Sequence, residues 1–267
     1  MQISFPAETL LIEGPDAAAF AHAQFSSKID SLAIGQWQFS AWLDAKGRVR
    51  ALFHLARLDQ ERYLLLLRGG SAAGMVESLR RFVFRSRLTL TVQPLRMLTT
   101  GDARPMHAVS QGDDFISLGC GSHSLDMVAT QDPDNAWRLL QLRDGWPWLP
   151  DSALDTLLPA ALSLQRLQAV AVDKGCYPGQ EIVARLHFRG GHKRHLHRGT
   201  LSRSLAAGET LRIDGIEVGC VLDVVAGDDS IEALLVLSDD VASQWDAGVA
   251  HAFDNLVELT LRTSWEA

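Results

Sequence analysis

The sequence has few cysteines and no long apolar run, and both absences narrow the class of protein. Its 267 residues include three cysteines, Cys120, Cys176 and Cys220, an odd number without the close spacing of a metal-binding pair. A disulfide framework is therefore not expected, and a reducing, cytoplasmic location is predicted. No run of about 18 apolar residues occurs, so no membrane partner is predicted. The N-terminus lacks a basic stretch followed by an apolar one, so we predict no signal peptide.

Acidic residues are missing from two stretches of an otherwise acidic chain. The formal net charge is −7, which argues against a protein whose whole surface binds nucleic acid, and direct nucleic-acid binding is not expected. No acid lies between Glu77 and Asp102 or between Glu181 and Glu209, and both stretches are rich in arginine. Two interpretations stay open: two separate solvated faces, or two faces of one site for an anionic ligand.

Helix and strand signals alternate along most of the chain and then give way to short strands. Strands are predicted on both sides of the turn at 44–47, and helices over 72–82 and 135–142. From residue 193 onward, short β-rich pieces separated by Gly, Asp and Ser are typical of a small barrel or sandwich. The sequence therefore predicts an α+β region over residues 1–192 and a C-terminal β-barrel domain over residues 193–267.

The segment Lys174-Gly175-Cys176-Tyr177-Pro178-Gly179-Gln180-Glu181, called the motif below, carries the strongest chemical signal. Pro178 suits the first turn of a following helix, where a missing backbone N–H does no harm. Cys176 would then lie just outside a helix N-terminus, two residues from Lys174. Both neighbours favour a thiolate over a thiol, so Cys176 is a candidate functional thiol. The alternative is a small buried residue in a tight loop, the role expected of the other two cysteines.

Several common cofactor signatures are missing. The sequence has no Walker loop, no dinucleotide fingerprint and no His-Glu-x-x-His pair. His195 and His197 would share one face of a strand, a spacing that a metal could use. No acid or cysteine lies beside them in sequence, so we expect solvent-exposed histidines at a domain hinge and predict no metal site.

The motif resembles the signature Lys-Gly-Cys-Tyr-x-Gly-Gln-Glu of the YgfZ family. Further similarity is found on both sides of it, in Gln24 and in the segments 43–48, 85–88, 158–159, 164–172, 182–185, 188–190 and 193–194, whereas Ser163 stands where relatives commonly carry asparagine. That family is similar in fold to the T protein of glycine cleavage, a tetrahydrofolate-dependent aminomethyltransferase. The resemblance implies an α+β fold with tandem units around a central folate channel, closed by a C-terminal β-barrel.

The resemblance also implies folate, as tetrahydrofolate, for the small-molecule ligand. Trp137 matches a family tryptophan implicated in folate binding; the alternative is that it caps a core. A second family tryptophan has no counterpart, and Phe5 is the nearest aromatic residue. The other predicted folate contacts are Tyr177, Gln180, Glu181 and Arg185, with Gly175 and Gly179 as motif residues and Lys174 beside the thiol. A polyglutamate tail on the folate would suit the arginine-rich stretches, as would RNA phosphates.

Two functional classes compete. A one-carbon or aminomethyl transferase needs a carboxylate against the folate; in the T protein an aspartate at the start of a helix supplies it. The matching stretch, 68–75, contains no acid, although Asp44 or Glu181 could substitute. The resemblance implies instead an accessory factor for assembly or repair of iron–sulfur clusters in client enzymes, including radical-SAM enzymes that thiolate tRNA. A third alternative is a folate-binding protein without chemistry.

Overall fold

A computed structural model describes residues 5–130, 132–227, 229–246 and 248–265. The chain forms two compact units, and both are discontinuous in sequence. The first comprises Met1–Leu43, Arg50–Trp137 and Gln168–Pro178; the second comprises Asp44–Val49, Arg138–Leu167 and Gly179–Ala267. The chain therefore passes from the first unit to the second inside the motif, between Pro178 and Gly179.

The first unit contains a five-stranded sheet with the strand order β2-β3-β4-β1-β5. Its strands are β1 (Thr9–Glu13), β2 (Gln36–Leu43), β3 (Val49–Asp59), β4 (Arg62–Leu67) and β5 (Thr89–Val92). Residues 63–67 of β4 are buried along their whole length, and β4 lies between two antiparallel neighbours, β3 and β1. This agrees with the continuous apolar run of the sequence there.

Two helices pack on this sheet, α1 (Ala17–Gln24) and α2 (Ala72–Leu79), and α2 continues into a 3₁₀ turn over Arg80–Phe82. The α2 face consists of Ala72, Met75, Val76 and Leu79, which recur at helical spacing and join one apolar core with side chains of α1 and the sheet. Ser71 caps α2 by accepting a hydrogen bond from the Gly74 N–H. The predicted helix over 72–82 is thus confirmed, with a tighter last turn.

A second sheet of the first unit is antiparallel and four-stranded, in the order β6-β9-β8-β7. Its strands are β6 (Met97–Gly101), β7 (Val109–Gln111), β8 (Phe115–Gly119) and β9 (Ser124–Val128), and helix α3 (Ala136–Arg143) follows it.

The second unit contains helix α4 (Gln180–Arg189), the short helix α5 (Asp239–Ala242) and a six-stranded antiparallel sheet. The sheet order is β11-β12-β13-β10-β15-β14, with β10 (Arg194–Leu201), β11 (Thr210–Ile213), β12 (Ile216–Ala226), β13 (Ile231–Ser238), β14 (Ala250–Ala252) and β15 (Glu258–Trp265). Its two edges approach each other, because the Asp254 N–H, just after β14, donates to the Arg212 carbonyl of β11 at 2.9 Å. The α+β fold with a C-terminal barrel-like sheet is confirmed.

The predicted domain boundary at residues 192 and 193 stays a prediction. All six barrel strands do follow residue 193, but the second compact unit also takes in 138–167 and 179–192. Among the described residues, no helix is both long and apolar enough to cross a membrane.

A buried polar pair lies inside the first unit. The Arg68 Nη1–H group lies 2.9 Å from His54 Nε2, and both side chains are almost fully buried. Burial, followed by the positive charge of Arg68, holds the pKa of His54 well below its ordinary value. His54 is therefore neutral at physiological pH and accepts from Arg68 at Nε2.

Candidate functional site

The motif begins with a lysine that ties its loop to the end of helix α1. Lys174 Nζ donates to the carbonyls of His22, Phe25 and Ser27 at 2.7, 2.6 and 2.8 Å. Carbonyls at the end of a helix lack partners within the helix, and an ammonium is a favourable donor there. Burial lowers the pKa of Lys174 to about 8. The ammonium is thus held against the backbone, and its predicted effect on the Cys176 thiol stays a prediction.

Tyr177 holds the same loop from its other end. Its hydroxyl donates to the Ala171 carbonyl at 2.8 Å, and the Lys174 ammonium lies 5.1 Å from the centre of its ring. The ring is only 6% exposed, and burial raises the pKa of the phenol. Ser26 adds two further ties, accepting from the Ala171 N–H at 2.8 Å and donating to the Ala169 carbonyl at 2.7 Å. The loop is therefore anchored along its length.

Cys176 lies between these two anchors and is exposed. Cys120 is buried, and its thiol donates to the Leu118 carbonyl at 3.3 Å. Cys220 is half-buried in β12, where burial raises the pKa of its thiol. The neighbouring Gly175 has room for a side chain, since an added Cβ would meet its nearest atom at an ordinary 3.5 Å. Of the three thiols, Cys176 is the one presented to the surroundings.

The start of helix α4 differs from the prediction. The helix begins at Gln180, and Gly179 is its N-cap with a left-handed backbone, φ 80° and ψ 0°. Pro178 therefore lies before the helix and not in its first turn, and Cys176 is three residues ahead of the cap. The prediction failed because a left-handed residue redirects the chain at this point, and only glycine adopts that conformation without strain.

Gly179 lies against the turn between β2 and β3, and Gly179 and the residues of this turn belong to the second unit. A Cβ at Gly179 would lie 2.5 Å from the Asp44 carbonyl oxygen and 2.8 Å from Gly47 Cα. A Cβ at Gly47 would lie 3.0 Å from the Cβ of Ile182. The turn itself is closed by Asp44, whose Oδ1 accepts from the N–H groups of Lys46 and Arg48 at 2.8 Å each. The structure thus brings together two segments that the sequence offered separately.

The remaining predicted folate contacts lie on α4. Gln180 is half-buried at the first helical position, whereas Glu181 and Arg185 are exposed. A carboxylate in the first turn is favoured there by the helix dipole. These residues belong to the second unit, while Lys174, Cys176 and Tyr177 belong to the first.

Trp137 is buried, with 2% of its surface exposed. Its backbone N–H donates to Thr100 Oγ1 at 2.8 Å, and its ring meets the edge of Phe5, with centroids 5.7 Å apart at 84°. Phe5 is the aromatic residue nearest to the place where the resemblance implies a second tryptophan. The assignment of Trp137 to folate binding stays a prediction.

A carboxylate that the sequence did not indicate lies at the start of helix α2. Glu8 Oε2 accepts from the Ala72 N–H at 2.9 Å, across 64 residues of chain. The stretch 68–75 itself contains no acid, so only the tertiary structure supplies one at this position. No local pattern points to Glu8, since it precedes strand β1 as an ordinary half-exposed acid.

The two histidines of β10 contact residues that are distant in the sequence. His195 Nδ1 lies 2.6 Å from Asp239 Oδ1, and His197 Nδ1 lies 2.8 Å from Ser264 Oγ. The expectation of exposed histidines is wrong for His197, which is 4% exposed because neighbouring strands cover it. Burial and the nearby His195 lower its pKa to about 4. A cavity of about 460 Å³ adjoins both rings, but among the described residues no group of three or more His, Cys, Asp or Glu side chains is placed to hold a metal ion.

Comparison with known proteins identifies similar bacterial sequences. No protein-family model matches the chain. A tRNA-modifying protein YgfZ from Edwardsiella ictaluri (strain 93-146) is 27% identical over 237 residues, which cover 76% of this chain and 72% of the relative. A protein with the same name from Sodalis glossinidius (strain morsitans) is 25% identical, with 87% and 83% covered. An uncharacterized protein from Haemophilus influenzae is 26% identical, with 68% and 67% covered.

A solved structure shares the fold. The crystal structure of glycine cleavage system aminomethyltransferase T from Bartonella henselae superposes with a TM-score of 0.69 at 17% identity, covering 99% of this chain and 84% of that one. At this identity the match establishes the fold alone. The resemblance predicted from the motif is confirmed by these relatives and this fold together.

Proposed function

Starting from the similarity to YgfZ proteins, we propose that this chain is a folate-binding accessory factor for the assembly or repair of iron–sulfur clusters in selected enzymes. Radical-SAM enzymes that thiolate tRNA are among the proposed clients, which agrees with the name tRNA-modifying protein of the relatives. Cys176 is the proposed functional thiol. The observation that supports this most is that Cys176 is exposed within a loop whose other side chains hold it in place.

Some residues of the motif stabilise the fold, whereas Cys176 does not. Lys174 and Tyr177 donate hydrogen bonds to backbone carbonyls, and Gly179 leaves no room for a side chain. Fold stability explains these three, whereas an exposed thiol contributes little to packing. Cys176 is therefore the motif residue with the best claim to chemistry.

A single thiol suits transient contact better than permanent cluster binding. Protein-held iron–sulfur clusters usually take four cysteine ligands, and the described part of the chain has no group of three metal-ligating side chains. The proposed substrate is therefore a cluster that belongs to the client. Cys176 would contact it only during assembly or repair.

Folate is the proposed small-molecule ligand, and the predicted contacts fit it in part. The exposed Arg185 and Glu181 suit the carboxylates and the ring N–H groups of a folate. Trp137 and Tyr177 are buried, so neither ring presents an exposed face on which a ligand could stack. Calorimetric titration with tetrahydrofolate tests the ligand separately, and an absence of binding heat at high concentration removes folate from the proposal.

Complementation tests the role of Cys176. In a bacterial strain that lacks its own YgfZ relative, we expect wild type to restore tRNA thiolation and Cys176→Ala to leave it deficient. Cys220→Ala is the matched control, because that thiol is half-buried in β12, and it should restore thiolation. Immunoblots establish equal protein levels. Full rescue by Cys176→Ala would refute the proposed role.

A transferase is the second candidate, and one observation favours it. The Glu8 carboxylate lies at the start of α2, the place where the T protein resemblance implies a catalytic acid. An aminomethyl-transfer assay with tetrahydrofolate decides between the candidates. We expect no turnover; turnover that disappears in Glu8→Gln would favour the transferase.

A further inference from the structure

The segment Arg80–Arg87, called the Arg–Phe turn, presents aromatic rings and arginines to the surroundings. Its sequence is Arg-Arg-Phe-Val-Phe-Arg-Ser-Arg. Phe84 is 79% exposed and Phe82 is 38% exposed. Phe82 and Phe84 are two residues apart, and exposed rings lose the apolar contacts that burial would give them, so the fold alone gives no reason for the pair.

An arginine side chain lies over each exposed ring. Arg81 Cζ lies 4.8 Å from the centre of the Phe82 ring, and Arg85 Cζ lies 5.3 Å from that of Phe84. The flanking arginines of the turn are engaged with acids, Arg80 with Glu77 at 3.1 Å and Arg87 with Asp16 at 3.4 Å. Within the described ranges, Arg81 and Arg85 have no acidic partner at salt-bridge distance. Their charges are therefore available to an anion.

Arg85 also adopts an unusual backbone conformation. The Ser86 N–H donates to the Val83 carbonyl at 2.8 Å, which makes Arg85 the third residue of a tight turn, and its φ is 73°. Glycine or asparagine is favoured at such a position, because a Cβ is strained there. Strained residues of this kind are enriched at functional sites. Arg85 thus places a charged side chain at a turn position that glycine usually occupies, at the tip of an exposed turn.

We propose that the Arg–Phe turn binds single-stranded RNA. Phosphates suit the unpaired guanidinium groups of Arg81 and Arg85, and unstacked bases suit the exposed faces of Phe82 and Phe84. A polyglutamate tail would use the arginines and leave the aromatic rings unexplained, because it carries carboxylates but no flat ring. The net charge of −7 led to the opposite expectation, since it averages over the whole surface and hides a local basic turn.

Fluorescence anisotropy with a fluorescein-labelled single-stranded RNA of about 12 nucleotides tests the proposal. Phe84→Ala should weaken binding by about 5- to 150-fold, the effect of losing one base-stacking ring. Arg85→Gly should weaken binding and lower the slope of log Kd against log salt by about 0.7, the share of one phosphate contact. Because glycine relieves the positive φ, Arg85→Gly should unfold at no lower a temperature than wild type. Loss of binding in this variant is therefore not a loss of fold.

Leu256→Gly is the matched control, since Leu256 is 85% exposed and also has a positive φ, 61°. It should bind RNA like wild type. The proposal is overturned if wild type fails to bind the RNA at low salt, or if Phe84→Ala and Arg85→Gly bind as tightly as Leu256→Gly. It is also overturned if Arg85→Gly loses affinity for polyglutamylated folate and keeps its affinity for RNA.

Discussion

Replacing Gly179 by alanine tests the contact between the motif and the β2–β3 turn. The new Cβ would meet the Asp44 carbonyl oxygen at 2.5 Å and Gly47 Cα at 2.8 Å, and both are backbone atoms that cannot rotate away. Holding a non-glycine residue at φ 80° costs about 1–2 kcal/mol, and overpacking costs about 1–3 kcal/mol more. We therefore expect Gly179→Ala to lower the free energy of unfolding by about 2–5 kcal/mol.

Urea unfolding followed by circular dichroism measures this loss, and Gly215→Ala is the matched control. Gly215 also has a positive φ, 76°, but an added Cβ there would meet nothing within 4 Å. The control should lose only the backbone part, about 1–2 kcal/mol. Equal losses in the two variants would refute the packing argument, because the difference between them isolates the contact with Asp44 and Gly47.

Two further predictions concern buried polar groups. Burial holds the pKa of His197 at about 4 against an ordinary 6.5, so neutral His197 contributes stability that is complete above pH 6.5 and is lost as the pH falls toward 4. When the pH is lowered from 7 to 5, the free energy of unfolding measured with urea should fall by about 2 kcal/mol less for His197→Asn than for wild type. Equal falls in the two proteins would contradict this. Tyr177→Phe removes the hydrogen bond to the Ala171 carbonyl and should cost about 1 kcal/mol in the same assay. An unchanged free energy of unfolding would mean that water replaces the hydroxyl.

The structure shows that Cys176 is exposed and that its loop is anchored, and these two features replace the activation of the thiol by its neighbours as the basis of its proposed role. The sequence favoured a cysteine activated by Lys174 and by a helix N-terminus. In the structure, Lys174 bonds three carbonyls and Gly179 separates the loop from α4. The proposed chemistry of Cys176 therefore depends on its exposure within an anchored loop, and the measured effect of Cys176→Ala tests whether the thiol itself is needed.

Helix and strand positions could be predicted well because their signals are local. The spacing of Met75, Val76 and Leu79 indicated α2, and the turn at 44–47 indicated a strand on each side of it, since both patterns lie within a few residues of chain. The close approach of Gly179 to Asp44 could not be predicted, because the two residues are far apart in sequence. The burial of His197 depends likewise on strands β13 and β15 beside it.

The sequence by itself determined the α+β class, the C-terminal barrel and the resemblance carried by the motif, because composition, periodicity and an eight-residue signature are properties of neighbouring residues. Only the tertiary structure decided which motif residues serve the fold and which acid lies at the start of α2. Lys174 donates a hydrogen bond to the His22 carbonyl, 152 residues away, and Glu8 accepts one from the Ala72 N–H, 64 residues away. Such partners are selected by burial and hydrogen-bond satisfaction in the folded chain, for which no local pattern exists.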